Sequence, residues 1–354
     1  MPARIPGSIL PKNNIHSARE RRFHRLTVAQ VVRETADAVS VVLDVPDVLR
    51  QQYAYRAGQF VTFRVRLNGE DHYRSYSMSS APDLGEPLQV TVKRVAGGQV
   101  STWMVESLAV GDQVEVSVPS GAFVLDDRDR DVAAFAGGSG ITPLLSLAKT
   151  VLAGSARRVQ LFYANRDADA VIFQAHLHAL GARYGDRFRV VHHLDAVHGL
   201  VTEERLEEFV STTDAVNFVC GPDAFMDLVE RTLRRKGVPR ERIRLERFGS
   251  GEPIPPASSE AAPTGATVTV RMDRRTATGE HRGGSSILQT ARALGLKPPS
   301  SCEGGTCATC IARVTEGAVE MRNNEILEPG EVAEGWVLTC QAVPTTPVVG
   351  VVYE

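Results

Sequence analysis

Apolar and polar positions alternate in short runs over the first third of the chain. Residues 26–32, 39–43, 60–65, 88–92 and 114–118 place apolar side chains at or near every second position, with Gly and Pro between the runs. A period of two suits strands with one buried face, and short strands broken by turns predict an all-β barrel or sandwich. One helical segment, at about 101–108, interrupts the pattern. Beyond residue 131 the texture changes. Val132-Ala-Ala-Phe-Ala is a continuous apolar run, followed by Gly137-Gly-Ser-Gly and a helical stretch over 144–152. Similar runs at 159–163, 188–192 and 216–219 alternate with helical patterns. Strands buried on both faces and separated by helices predict a parallel sheet with covering helices.

Residues 249–265 carry few bulky apolar side chains and the run Pro253-Ile-Pro-Pro, which predicts a partly extended linker. From 266 a third pattern begins, with a strand at 268–272 and a helix placing Ile287, Leu288, Ala291 and Leu294 on one face. The expected division is an extension 1–22, a β domain 23–128, an α/β domain 129–248, a linker 249–265 and a third domain 266–354. A length of 354 residues accommodates this number of domains. Composition adds exclusions. With 43% hydrophobic residues and a net charge of −2, the chain is neither disordered nor charged for nucleic acid or a membrane surface. No stretch approaches the ~20 apolar residues of a membrane span, so a soluble cytoplasmic protein is expected.

Four of the five cysteines lie in the third domain. Cys302-Glu-Gly-Gly-Thr-Cys307-Ala-Thr-Cys310, with Cys340 downstream, has the Cys-x4-Cys-x2-Cys…Cys spacing of a plant-type 2Fe–2S site. A tight loop supplies three thiolates from one side, and Gly304, Gly305, Ala308 and Thr309 are small enough for backbone N–H groups to approach the sulfurs. Structural zinc is the competing assignment, but zinc sites more often pair two short knuckles, and only one is present. Glu303, where many plant-type ferredoxins carry a basic residue, is expected to make the loop more acidic and to lower the cluster's potential.

Two further motifs concern nucleotides. Arg74-Ser-Tyr76-Ser77 offers a cation, a flat ring and a hydroxyl, and Gly97-Gly98-Gln99-Val100-Ser101-Thr102 opens the lone helix of the β domain. Helix-start N–H groups attract phosphate oxygens. By itself Arg-x-Tyr-Ser also suits a surface Arg between strand residues. In the α/β domain, Gly138-x-Gly140-x-x-Pro143 joins a buried strand to a helix, the context for a pyrophosphate. Cys220-Gly221-Pro222 ends another strand of the same sheet, at the edge that faces the ligand crevice in such folds. Arg166 follows the second strand, where an Arg suits the 2′-phosphate of NADPH, whereas the adjacent Asp167 and Asp169 would suit NADH. The clusters His176-x-His178 and His192-His193 lack a carboxylate at ligand spacing and suit ordinary packing or surface positions.

The flavin-type motif, Gly137-Gly-Ser-Gly-Ile-Thr142-Pro143, Cys220-Gly-Pro222 and the cysteine loop, in that order, resemble the ferredoxin–NADP reductase superfamily over nearly the whole chain. Tyr163-Ala-Asn-Arg, Leu245-Glu-Arg-Phe, Val319-Glu-Met and Val337-Leu-Thr-Cys340-Gln make it similar, within that superfamily, to reductase components of bacterial multicomponent oxygenases, such as those serving phenylacetyl-CoA epoxidase and 3-ketosteroid 9α-hydroxylase. The resemblance implies a β-barrel flavin domain, a parallel α/β nucleotide-binding domain and a C-terminal plant-type ferredoxin (β-grasp) domain. It implies Arg74 on the flavin diphosphate, Tyr76 stacked on the isoalloxazine, Ser77 near N5, and Gly98, Val100, Ser101 and Thr102 completing a phosphate site, with FAD favoured over FMN. Gly138, Gly140, Thr142, Pro143, Arg166, Gly221 and Pro222 would hold the pyridine nucleotide. Cys220 would lie beside the nicotinamide carbon that gives the hydride, and Glu246 and Phe248 would close over the flavin. Cys302, Cys307, Cys310 and Cys340 would ligate the cluster. The implied activity is electron transfer from NADPH or NADH through FAD and a 2Fe–2S cluster to a terminal oxygenase, by a monomer without nucleic-acid or membrane partners. A redox sensor and a stand-alone reductase of small acceptors are the alternatives.

Overall fold

The computed structural model describes residues 23–126, 129–210, 214–248 and 265–353, which fall into two compact units, 25–248 and 265–353. The expected extension 1–22 and all but the last residue of the expected linker lie outside the described residues.

The first unit holds two sheets. In the first sheet β1 (Phe23–Thr35), β2 (Ala38–Asp44), β3 (Phe60–Leu67), β4 (Glu70–Ser77), β5 (Gln89–Lys93) and β6 (Gln113–Ser117) run in the order β4-β3-β6-β1-β2-β5. A bridge between Met78 and Val90 links the two ends, so the sheet closes on itself as a barrel. Its interior is filled by Leu26, Val41, Val61, Phe63, Val90 and Val116, the inward positions of the alternating runs. The short helix α1 (Gln99–Glu106) packs Val100 and Met104 into this core. Strand β4 reads Glu-Asp-His-Tyr-Arg-Ser-Tyr-Ser, without apolar alternation, and the sequence pattern assigns no strand there. It is a strand because its backbone pairs with β3 in unbroken register from Phe60↔Ser77 to Leu67↔Glu70. Its polar side chains lie on an exposed to half-buried strand, with only Tyr73 and Ser77 buried.

The second sheet is parallel throughout, in the order β11-β10-β7-β8-β9, with β7 (Val132–Gly137), β8 (Val159–Asn165), β9 (Phe188–Leu194), β10 (Val216–Gly221) and β11 (Ile243–Arg247). Helices α2 (Ile141–Gly154), α3 (Gln174–Tyr184), α4 (Asp195–His198), α5 (Glu203–Phe209) and α6 (Asp223–Arg235) connect the strands. The chain proceeds from β7 outward to β9, then returns to the other side of β7. The topological switch therefore lies between β7 and β10, where ligand crevices form in open α/β sheets.

The two sheets of this unit share a core. Ala38, Ala57 and Phe123 pack with Leu144, Leu147 and Phe218, and Phe123 meets Phe218 edge-to-face at 5.1 Å. Gly58 is required there: at φ +92° a Cβ would stand 1.9 Å from the Phe123 carbonyl oxygen. The Lys149 ammonium pairs with Glu86 at 2.5 Å, and Ser146 Oγ donates to the Ser80 carbonyl.

The second unit is a mixed sheet of β12 (Thr267–Met272), β13 (Arg275–Glu280), β14 (Ile311–Glu316), β16 (Trp336–Leu338) and β18 (Val348–Tyr353), in the order β13-β12-β18-β14-β16. Strands β15 (Val319–Met321) and β17 (Ala342–Pro344) form a separate pair. Helix α7 (Ile287–Ala293) starts with a capping box between Ser286 and Gln289 and buries Ile287 and Ala291 against Val268, Val270 and Val351. Helix α8 (Pro329–Ala333) precedes β16. One helix packed on a mixed sheet matches the expected β-grasp.

Candidate functional site

The predicted flavin residues line one edge of the barrel. Arg74, on β4, is exposed, and its Nη1 donates to the Tyr73 carbonyl at 2.7 Å. Tyr76 is half-buried and meets Phe63 edge-on at 5.7 Å. Burial pushes its phenol pKa up, so the hydroxyl stays protonated. Gly97 has φ +72°, and a Cβ on Gly98 would stand 2.6 Å from Ser101 Oγ. No described side chain caps α1, so its first-turn N–H groups remain available to an anion. Gly97, Gly98, Gln99 and Thr102 border an open concavity of about 420 Å³. The cradle thus fits a phosphate-bearing group. The Val100 side chain belongs to the barrel core, and Ser101 Oγ accepts from Val95 N at 3.1 Å. These two residues offer the cradle their backbone, not their side chains.

At the switch point of the parallel sheet two turns lie backbone on backbone. A Cβ on Gly140 would stand 2.0 Å from the Cys220 carbonyl oxygen, and one on Gly221 2.9 Å from Gly137 Cα. Only glycine permits this approach. Gly138, at φ +52°, has its carbonyl braced by the Tyr163 hydroxyl at 3.2 Å, which in turn accepts from Ile172 N. Thr142 is buried with Oγ1 donating to the Ser139 carbonyl at 3.1 Å, Pro143 sits in the first turn of α2, and Pro222 precedes α6. At the end of β8 the Asn165 amide is buried and interacts with the Tyr163 hydroxyl. The start of α2 carries no side-chain cap and fits an anionic ligand.

Ser77, Cys220 and Glu246 come together. Ser77 ends β4, Cys220 pairs with Glu246 across β10 and β11, and Ser77 Oγ donates to Glu246 Oε2 at 3.0 Å. Burial pushes the Glu246 carboxyl up to about 8, with the Ser77 hydrogen bond pulling the other way. The Cys220 thiol is raised by burial and by the nearby Glu246. Near neutral pH both groups are mostly uncharged. Phe248 lies just beyond β11 and is 43% exposed. Arg247 anchors that strand end to Asp223 and Asp227 of α6.

Arg166 stands where expected, past β8, but it is not a free cation. Its Nη2 lies 3.6 Å from Asp37 of the barrel, which Lys93 Nζ also approaches at 3.9 Å. Asp167, read as a possible ribose partner, accepts from Ala170 N at 2.9 Å and caps a short turn. Lys93 is a residue that sequence reasoning missed. Its Nζ lies 3.8 Å from where a Cβ on Gly138 would be, bringing a cation to the nucleotide turn. The only local signal is a Lys closing an apolar strand.

In the second unit Cys307, Cys310 and Cys340 are buried and Cys302 is partly so, all as free thiols. Their side chains interact two by two, Cys302 with Cys307 and Cys310 with Cys340. Three thiols from one glycine-rich loop and a fourth just after β16 make up the four-thiolate set of a 2Fe–2S cluster. Glu303, Gly305 and Ala308 adopt left-handed conformations, at φ +49°, +85° and +55°, which wrap the loop around the thiols. Thr309 is buried and its hydroxyl interacts with the Cys307 sulfur. The loop therefore fits a 2Fe–2S cluster. The expectation that Glu303 leaves the loop acidic is not met: its carboxylate is paired with the Arg292 guanidinium of α7.

Comparison with known proteins agrees with these three sites. Residues 25–125 match the oxidoreductase FAD-binding domain family, 135–231 the oxidoreductase NAD-binding domain family and 270–345 the 2Fe-2S iron-sulfur cluster binding domain family. The chain is 39% identical over 330 residues to the ferredoxin reductase component of 3-ketosteroid-9-alpha-monooxygenase from Rhodococcus rhodochrous, covering 91% of this chain and 94% of that protein. It is 36% identical over 343 residues to one of the subunits of 1,2-phenylacetyl-CoA epoxidase from Escherichia coli K12, covering 92% and 96%. Among solved structures it is similar to phthalate dioxygenase reductase, at TM-score 0.59 and 28% identity, covering 95% and 99% of the two chains. The kinship spans the FAD, nucleotide and iron–sulfur portions alike, and the chain belongs to the family of reductase components of oxygenase systems that use FAD, a pyridine nucleotide and a 2Fe–2S cluster.

Proposed function

We propose that this chain takes electrons from NAD(P)H and delivers them to a terminal oxygenase of the steroid-hydroxylase or phenylacetyl-CoA-epoxidase type. The observation that carries the reading is the 3.0 Å bond from Ser77 to Glu246, which joins the flavin edge of the barrel to the Cys220 end of the nucleotide sheet. It brings the two cofactor sites to one place. When bound, FAD accepts a hydride's two electrons together and the cluster carries electrons singly.

The chain's own residues bind and orient. Arg74 and the first-turn N–H groups of α1 would hold the flavin diphosphate, Tyr76 would offer its face to the ring, and Ser77, its proton given to Glu246, would offer the reacting edge only an acceptor oxygen. Gly140 and Gly221 let the dinucleotide lie close to the backbone, and Lys93 faces it. Glu246 holds its proton near neutral pH, so no fixed negative charge opposes electrons arriving at the flavin. Phe248 covers the ring and must move aside for nicotinamide. Cys302, Cys307, Cys310 and Cys340 would together hold the cluster.

Arg166, which also pairs with Asp37, would supply the cation for a 2′-phosphate, and with Asp167 committed to its turn NADPH is the favoured donor. A single chain carries all three sites, which supports action as a monomer. A pyridine-nucleotide donor supports a cytoplasmic setting. Among the described residues no helix is long and apolar enough to cross a membrane. The similar proteins belong to oxygenase systems, which favours this reading over a sensor or a reductase of small acceptors.

The test is reconstitution with candidate terminal oxygenases, using the full chain and its Cys307→Ser variant. Hydroxyl is a harder and far less acidic ligand than thiol, so the cluster should be lost. NAD(P)H should still bleach the flavin in the variant, while oxygenase turnover stops. Unchanged oxygenase turnover without a cluster would refute the path.

A further inference from the structure

Glu303 directly follows Cys302 and is the only charged residue between Cys302 and Cys310. Three contacts converge on this one position. Arg292, in the last turn of α7, forks onto the carboxylate, with Nη1 3.3 Å from Oε2 and Nη2 on Oε1. The same guanidinium donates to Ser300 Oγ at 2.7 Å, just before the loop. Gln341, the neighbour of Cys340, donates from Nε2 to the Glu303 carbonyl at 2.6 Å. Glu303 itself has φ +49°, a conformation that disfavours any residue with a side chain and persists only where surroundings impose it. The following turn is held in the same way: Asn323 Nδ2 donates to the Gly304 carbonyl at 2.7 Å, and Gly305 passes so close that a Cβ would stand 2.7 Å from the Asn323 carbonyl oxygen.

The charges matter as much as the shape. A cluster held by four thiolates is anionic and becomes more so on reduction. A carboxylate one residue from a ligand opposes the incoming electron, and the opposition is strong because the Glu303 side chain is only 11% exposed. Arg292 supplies the compensating charge from another element, and its planar fork fixes the carboxylate in one orientation.

We propose that Arg292 is a positioning residue for the iron–sulfur site. Through its forked pair with Glu303 it locks the turn that carries Cys302 and cancels the only carboxylate in the ligand loop, so that the cluster's potential does not bear that charge. The proposal rests on the reading of the loop as a 2Fe–2S site. Wild-type protein without iron and acid-labile sulfide would defeat that reading. The experiment below presupposes a bound cluster and tests only the pair.

The midpoint potential of the cluster is measured by redox titration monitored by electron paramagnetic resonance, in the full chain with FAD bound. The variants are Arg292→Gln, Glu303→Gln, the double variant, and Arg292→Lys. Removing the cation should make the potential more negative, and removing the carboxylate more positive. The double variant should return close to wild type. Arg292→Lys keeps the charge but loses the fork, so its potential should stay near wild type while iron loss to a chelator speeds up several-fold. If Arg292→Gln does not retain iron, the comparison of Glu303→Gln with the double variant still reads the same term, and the double variant must be the more negative. Single variants that shift in the same direction, or fully iron-loaded variants that do not shift, would overturn the proposal.

Discussion

Glu246→Gln isolates the most perturbed carboxyl of the nucleotide site. The Glu246 carboxyl is pushed from 4.5 up to about 8 by burial, against the pull of the Ser77 hydrogen bond. Its folded pKa is therefore raised above the unfolded one. The native state holds the proton more tightly, so the group's contribution is fully present below about pH 4.5 and is lost as pH rises through about 8. Each unit of pKa difference is worth about 1.36 kcal/mol. From pH 5 to pH 8 the folded unit should lose about 3–4 kcal/mol through this group, and less to the extent that water reaches the carboxyl. For a unit of this size, ~1 kcal/mol moves Tm by about 2–4 °C, so a relative shift of roughly 6–16 °C is expected. The replacement does not titrate, and it keeps the volume and an acceptor for Ser77. Wild type and variant would be melted at half-unit pH steps, following release of the fluorescent flavin. Their melting temperatures should diverge in the variant's favour as pH rises, over the window between about 4.5 and 8. Ser77→Ala, which removes the hydrogen bond that lowers the pKa, should move the upper end of the window to higher pH. A difference between wild type and Glu246→Gln that stays constant across the window would refute a buried, protonated Glu246.

Two further outcomes follow from the nucleotide site. Gly140→Ala puts a Cβ 2.0 Å from the Cys220 carbonyl oxygen, so the two turns must separate; the protein should keep its FAD, while the rate of flavin bleaching by NAD(P)H in stopped flow falls by at least tenfold. Arg166→Ala should raise the apparent KM for NADPH by roughly tenfold more than that for NADH, the low end for a charge-assisted contact because the side chain is largely exposed. Equal effects on the two coenzymes would return Arg166 to a role in the Asp37 ion pair alone.

Much of the architecture was legible in the chain because it follows local rules. Alternating runs mark barrel strands, continuous apolar runs mark a sheet covered on both faces, and glycine turns mark helix starts near phosphate. The spacing of Cys302, Cys307 and Cys310 is itself a statement about a cluster, since three ligands from one loop need only local geometry. Strand β4 was one exception, as were the strands after the cysteine loop. The polar composition of β4 hides it, and pairing with β3 decides it.

What no local rule reaches is the electrostatic state of the sites, because charge and burial are set by residues far apart in sequence. Ser77 and Glu246 are 169 positions apart and meet at 3.0 Å, and only that burial keeps Glu246 neutral near pH 7. Asp37 comes from a barrel turn to pair with Arg166, so the cation expected beside the nucleotide already has a partner. Asp167, adjacent to Arg166 in sequence, is instead turned onto its own backbone. Glu303 is an acidic residue in the sequence and half of an ion pair in the fold, because α7 places Arg292 over the loop. Motifs and their spacing were enough to name the cofactors the chain can hold. Tertiary packing decided the charge that each cofactor meets, since Coulomb and desolvation terms depend on distances and surroundings that exist only once the chain is folded.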